Sequence, residues 1–185
     1  MNIWHDIEED RVKKDDFVGV VEIPKGCNNK YELDKKTGLL KLDRILYTAT
    51  HYPANYGFIP RTYAGDNDPL DVLILCQEAI YPLTLVECYP IGALRMIDNN
   101  EEDDTTSKIL YSKLYGASYM GRISEKQYTA PADVVKRSAE IKHFFEVYKQ
   151  LEGKQTTVDK IMGREEAEQI IEKCMENYKE KFLNK

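Results

Sequence analysis

Between Phe17 and Leu75 the apolar positions fall in short runs, not in helical stripes. Phe17 to Ile23 (FVGVVEI) is short and β-branched and is stopped by Pro24, which predicts a strand. Tyr31 to Leu42 holds a hairpin signal. Asp34-Lys-Lys-Thr-Gly38 supplies the turn, Gly38 is free to take positive φ, and Leu39 to Leu46 returns as the second arm. Alternation places Lys30 and Glu32 on one face of the first arm, and Leu42 and Arg44 on one face of the second. Val72 to Leu75 is an apolar strand, Thr84 to Ile97 a strand pair or bent strand broken by Pro90 and Gly92, and Lys108 to Tyr111 another short strand. Ser112 to Ala130 has no clear period and is expected to be loop with weak helix.

The period changes after Ala132. Val135, Ile141, Phe144, Phe145, Tyr148 and Leu151 fall on one helical stripe, which Gly153 ends. A second amphipathic helix is predicted from about Arg164 to Phe182, opening on Glu165 and Glu166 and closing on lysines, as the helix dipole favours. Residues 1–16 read as a polar arm that docks Ile3, Trp4 and Ile7. Strands first and helices last predict one α+β domain over 1–185, with residues 131–183 mostly helical and a small closed sheet as its core. A parallel βαβ sheet is disfavoured, because no long helix separates the early strands.

Composition narrows the partners. The chain has 185 residues, 42% hydrophobic and 31% charged, with a net charge of −6. That describes an ordinary globule and disfavours nucleic acid and anionic membranes as partners, the thirteen tyrosines notwithstanding. Cys27, Cys76, Cys88 and Cys174 lack CxxC spacing and read as buried thiols in a reducing compartment. No apolar core for a signal peptide and no run of ~18 apolar residues occurs, which predicts a cytoplasmic protein.

The chemistry concentrates in HYPANYGFIPRTYAGDNDPLDVLIL, His51 to Leu75, where Asp66, Asp68 and Asp71 crowd into six residues ahead of an apolar strand. Three carboxylates so close repel one another, and a cation is the usual way to hold them. Pro69 fixes its own φ and pushes Asp68 toward an extended conformation, so the loop is stiff. A calcium loop of the EF-hand kind is excluded, since its sixth and twelfth positions counted from Asp66 hold Asp71 and Gln77. Glu22, Lys30, Glu32, Arg44, Tyr52, Tyr56, Asp98, Asp103 or Asp104, Tyr148 and Lys149 add carboxylates and cationic or phenolic donors. Carboxylates gather Mg²⁺, and Lys and Arg hold phosphoryl oxygens, which is equipment for phosphoryl transfer to water. Nucleotide-loop, serine-hydrolase and zinc-protease signatures are absent, and His5, His51 and His143 form no ligand pattern.

V-E-I-P around Glu22, K-Y-E at Lys30 to Glu32, D-R at Asp43-Arg44, Y-P-x-N-Y-G at Tyr52 to Gly57, D-x-D-P-x-D at Asp66 to Asp71 and H-F-F-E-x-Y-K at His143 to Lys149 resemble the soluble family I inorganic pyrophosphatases. The resemblance implies an OB-like five-stranded β-barrel flanked by C-terminal helices, hydrolysis of inorganic pyrophosphate to two phosphates, and assembly as a homohexamer. It implies several Mg²⁺ ions, with Mn²⁺ or Zn²⁺ as substitutes, held by Asp66, Asp71, Asp98 and Asp103. Asp68 would be the general base, with Tyr56 hydrogen-bonding close by. Lys30, Arg44, Tyr56, Tyr148 and Lys149 would grip the phosphates, and Glu22, Glu32 and Tyr52 would line the cavity and hold outer-shell waters. One departure is Thr105, which stands where the family pattern D-x-x-x-x-D-x-K has its Lys. Lys108 is the alternative donor, and a catalytically impaired, metal-dependent pyrophosphate binder is the second reading.

Overall fold

In β1 (Phe17–Ile23) every residue is buried, as a β-branched run flanked by strands on both sides requires. The computed structural model describes residues 2–47, 49–76, 78–98, 105–111, 131–153 and 156–184. After β1 come β2 (Asn29–Leu33), β3 (Leu40–Ile45), β4 (Asn55–Phe58), β5 (Asp71–Ile74), β6 (Leu85–Cys88), β7 (Pro90–Asp98) and β8 (Thr105–Tyr111). Helix α1 (Pro131–Val147), β9 (Thr156–Met162) and α2 (Arg164–Tyr178) complete the order. Seven strands form one sheet in the order β6-β1-β4-β5-β8-β7-β9, while β2 and β3 pair with each other as a separate hairpin. The pair β5–β8 is parallel and its connection runs through β6 and β7, with no helix among its described residues; the other pairs are antiparallel.

Two glycines set the geometry. Gly57 lies opposite Val21, and a Cβ there would fall 1.8 Å from the Val20 carbonyl oxygen, so β4 approaches β1 only because that position has no side chain. Gly38 closes the hairpin turn at φ 73°. A β-bulge at Glu22, between Val21 and Ile23, re-aims the side chain from an otherwise regular strand.

The apolar core divides between the helices. Ile141, Phe144 and Phe145 of α1 pack on Tyr52, Tyr56, Leu73 and Leu94, whereas Ala167, Ile171 and Cys174 of α2 pack on Val18, Val72 and Ala93. Helix α1 begins at Pro131, a residue pre-set for a first helical position, and its bonding ends with Tyr148 N–H on the Phe144 carbonyl at 2.9 Å. The stripe expected to reach Leu151 therefore stops short. A 3₁₀ turn (Gln150–Glu152) swings Leu151 outward to 67% exposure, and Gly153 at φ 72° ends the segment. Helix α2 begins as expected at Arg164, with the Gly163 amide donating to Glu166 Oε2 at 2.9 Å, and passes into a π-helical turn (Lys179–Leu183).

Strand β9 has no counterpart among the sequence-derived elements. Its Thr156 and Val158 are buried while their neighbours are exposed, an alternation too short to stand out against the flanking lysines. The N-terminal arm does dock. Trp4 and Ile7 are buried, Ile3 half-buried, and Trp4 Nε1 donates to the Thr62 carbonyl at 2.9 Å. Cys76, Cys88 and Cys174 are buried free thiols and Cys27 is half-buried. His143 lies exposed on α1. Among the described residues no helix is long and apolar enough to cross a membrane. The expected loop at Ser112 to Ala130 lies outside the described residues.

Candidate active site

A cavity of about 680 Å³ opens between the hairpin, the β4–β5 region and the end of α1. On its floor Tyr56 and Phe58 of β4 share a face with Asp71, since Phe58 pairs with Asp71 and Tyr56 with Leu73. The Tyr56 hydroxyl hydrogen-bonds Asp71. Burial first, and then the Asp71 charge, push the phenol well above its usual range, so it remains a donor. Glu22, brought to the same face by its bulge, accepts from the Leu33 amide at 2.8 Å. Burial and the charge of Asp71 push the Glu22 carboxyl up to about 8.

The acidic loop is a compact turn. The Asp68 amide donates to Asp66 Oδ1 at 3.2 Å and the Ala64 amide to the Asp68 carbonyl at 2.8 Å. Asn67 between them adopts φ 65°, a left-handed conformation that asparagine tolerates, and the Tyr63 hydroxyl meets its side chain. Beside Pro69, Asn67 and this hydrogen bonding hold the turn.

The opposite wall carries the cations. Lys30 pairs with Glu32 and with Asp43 Oδ2 at 3.1 Å; Arg44 reaches Asp43 Oδ2 at 2.6 Å and Glu152 Oε1 at 2.7 Å. Burial lowers the pKa of Lys30, but Glu32 and Asp43 outweigh it, and the net shift is upward. For Arg44 burial is outweighed by Glu152 and Asp43, so both groups stay charged. At the end of α1, Tyr148 stacks on Phe144 with centroids 5.2 Å apart, and Lys149 Nζ lies 5.5 Å from the Tyr148 ring centroid.

The lining therefore brings together Glu22, Lys30, Glu32, Arg44, Tyr56, Asp66, Asp68, Asp71, Tyr148 and Lys149 from six separate stretches of chain. Tyr52 is not among them: it is buried to 2% exposure behind the floor, between Tyr56 and Phe144 at centroid distances of 5.4 and 4.9 Å. Asp98 ends β7 opposite Thr156, itself a lining residue, and Lys108 lies in β8. Asp103 and Asp104 lie outside the described residues. Lys35 and Thr156 line the cavity without having been singled out, the first because it sits in a hairpin turn, the second because β9 was not anticipated.

The sequence matches the family described as inorganic pyrophosphatase over residues 19–179. The chain belongs to the inorganic pyrophosphatase family. Among relatives it is similar to soluble inorganic pyrophosphatase 2 of Chlamydomonas reinhardtii, 41% identical over 180 residues that cover 97% of this chain and 90% of that protein. Soluble inorganic pyrophosphatase 3 of Arabidopsis thaliana is 45% identical over 181 residues, covering 98% of this chain and 80% of that protein. Of solved structures, the inorganic pyrophosphatase from Helicobacter pylori superposes with a TM-score of 0.75 at 34% identity, covering 90% of this chain and 95% of that one. The Thermus thermophilus inorganic pyrophosphatase gives 0.75 at 35% identity, covering 89% and 92%. The likeness supports the α+β class with C-terminal helices. The five-stranded closed barrel expected from the sequence is not what the described strands form: β6 and β9 are the two edges of an open seven-stranded sheet, and β2–β3 stand apart as a hairpin.

Proposed function

We propose that the chain hydrolyses inorganic pyrophosphate to two phosphates in this cavity, as a metal-dependent hydrolase. The observation that carries the reading is that one cavity holds carboxylates on its floor and cations on its wall, in a chain of the pyrophosphatase family. The residues fit a hard divalent cation. The donors are carboxylate oxygens, and Glu22, raised first by burial and then by the charge of Asp71, has beside it negative charge that a cation would relieve. Asp66, Asp71, Asp98 and Asp103 would hold Mg²⁺, with Mn²⁺ or Zn²⁺ as substitutes. Such ions lower the pKa of bound water and offset the charge of the substrate.

Within that setting Asp68 accepts the proton of the attacking water, and Tyr56, whose O–H is engaged by Asp71, holds that carboxylate in place beside the reacting phosphate. Lys30, Arg44, Tyr148 and Lys149 grip the phosphates and stabilise the departing one, the part of in-line phosphoryl transfer left to the protein. Glu22 and Glu32 hold outer-shell waters at the wall, and Tyr52 supports the floor from behind. The reading also places the protein in the cytoplasm as a homohexamer. Exposed Leu39, Leu42, Ile45 and Tyr47 on and beside the hairpin support self-association.

Phosphate release from pyrophosphate, measured with Mg²⁺, with EDTA and with Asp68→Asn, tests the reading. Release is expected to need Mg²⁺ and to fall by about 10²–10⁴-fold in Asp68→Asn, the usual contribution of a positioned general base, with unchanged circular dichroism. A fully active Asp68→Asn protein would sink the assignment of the base. No release by folded protein with Mg²⁺ or Mn²⁺ would leave the impaired, pyrophosphate-binding reading.

A further inference from the structure

The turn Asp34-Lys-Lys-Thr-Gly38 would ordinarily be a solvated loop tip, yet it is built to reach inward. Its backbone is held in place: Asn2 Nδ2 donates to the Lys35 carbonyl at 2.9 Å, the Lys36 amide to Asp34 Oδ1 at 3.1 Å, and the Thr37 hydroxyl to Asp34 Oδ2 at 2.9 Å. From that fixed point the Lys35 side chain crosses to the acidic loop. Its ammonium forms an ion pair with Asp68 Oδ1 and donates to the Asn67 carbonyl at 3.3 Å. Oδ1 is shielded from solvent and has no other hydrogen-bond donor among the described residues, although the Asp68 side chain as a whole is 48% exposed.

The neighbouring cations are placed differently. Lys30 and Arg44 are paired with Glu32, Asp43 and Glu152, carboxylates outside the acidic loop. Lys35 is paired with the very side chain that must turn to a water molecule for the reaction to proceed. An ammonium on Oδ1 makes the Asp68 carboxylate a weaker proton acceptor and repels an arriving cation, so loading the cavity with metal favours opening of the pair. The freed ammonium then sits on a four-carbon stem at the cavity wall, and the nearest new anion is the substrate.

We propose that Lys35 is a further substrate-binding residue with a second, positioning duty. In the unloaded cavity it holds Asp68 and stands in for a cation; when metal and pyrophosphate enter, it passes its ammonium to a phosphoryl oxygen. The inference rests on the proposed pyrophosphatase reaction. It predicts opposite effects on metal and on substrate, which a purely structural lysine would not produce.

The test compares the whole protein with Lys35→Met, close in length but uncharged, and with Lys35→Arg. Mn²⁺ binding without substrate is measured by equilibrium dialysis, and binding of imidodiphosphate, a non-hydrolysable pyrophosphate analogue, by calorimetry with Mg²⁺. Lys35→Met is expected to bind Mn²⁺ several-fold more tightly, because a competing cation is gone. It is expected to bind imidodiphosphate about tenfold more weakly, the scale of one charge-assisted hydrogen bond. In turnover the same loss appears in KM with kcat within about twofold, and Lys35→Arg restores both the imidodiphosphate affinity and KM. Unchanged imidodiphosphate affinity, or Mn²⁺ affinity that fails to rise in Lys35→Met, overturns the proposal. If the wild-type protein releases no phosphate, the proposed reaction fails, and the two binding measurements still decide the role of Lys35.

Discussion

The two sides of the cavity reach it by opposite routes. β4 and β5 deliver Tyr56 and Asp71 from inside the seven-stranded sheet, where every residue of β4 and three of the four in β5 are buried. β2 and β3 deliver Lys30 and Arg44 on a two-stranded hairpin that has no fully buried residue and is held by ion pairs. The difference matches what each side is proposed to bind. Carboxylates that share a small hard cation need fixed separations, and a close-packed sheet supplies them. Lysine and arginine can meet a phosphate from a range of positions, and long side chains on an adaptable support suffice.

Substitutions at matched positions should expose that contrast. Gly57→Ala belongs to the rigid side and should do most damage, because its Cβ would meet the Val20 carbonyl oxygen at 1.8 Å and force β4 off β1. We expect a loss of about 3 kcal/mol or more, read as a fall in the denaturation midpoint, with metal binding lost alongside. A melting temperature within a degree or two of the parent would show that the floor yields as the hairpin does.

The next effect is electrostatic. Glu22 has a folded pKa raised from 4.5 to about 8, so its protonated form is favoured in the folded state. In EDTA that contribution is fully present below about pH 4.5 and is lost as pH rises toward 8. Thermal melts in EDTA should therefore show stability falling across that window. Glu22→Gln should flatten the fall and Mg²⁺ should offset it; an equally steep fall in the variant would separate Glu22 from the effect.

On the hairpin, Arg44→Lys keeps the charge but cannot keep both Asp43 and Glu152 on one planar group. KM for pyrophosphate should rise about tenfold while stability barely changes, and a steady-state titration reads the difference. The smallest effect should come from Gly38→Ala. Its φ of 73° costs an alanine about 1 kcal/mol, confined to the hairpin. Urea unfolding should register that shift, with no change in Mn²⁺ affinity; a loss comparable to that of Gly57→Ala would erase the distinction between the two sides.

Much of this arrangement was legible in the chain itself. The β-branched run Phe17 to Ile23, the Asp34–Gly38 turn and the start of α2 each follow from short-range rules, because their determinants lie within a few residues. So do the acidic loop and its stiffness. Leu151 shows where periodicity alone overreaches: it continues the apolar stripe of α1 in sequence, but the helix has already ended at Val147. β9 shows the converse, since its pairing with β7 stabilises a strand whose own alternation is too short to announce it.

Residue types and spacing, then, determined the class of fold and pointed to groups that the folded chain gathers around one cavity. Only the tertiary structure decided who faces whom. The bulge at Glu22 turns that carboxyl toward Asp71, burial moves Tyr52 from the wall to the support behind it, and a residue of the hairpin turn meets a loop aspartate 33 positions away in the pair Lys35–Asp68. Such contacts depend on where separately formed elements are docked. No local pattern encodes that, because the energy that fixes it comes from packing between distant segments of the chain.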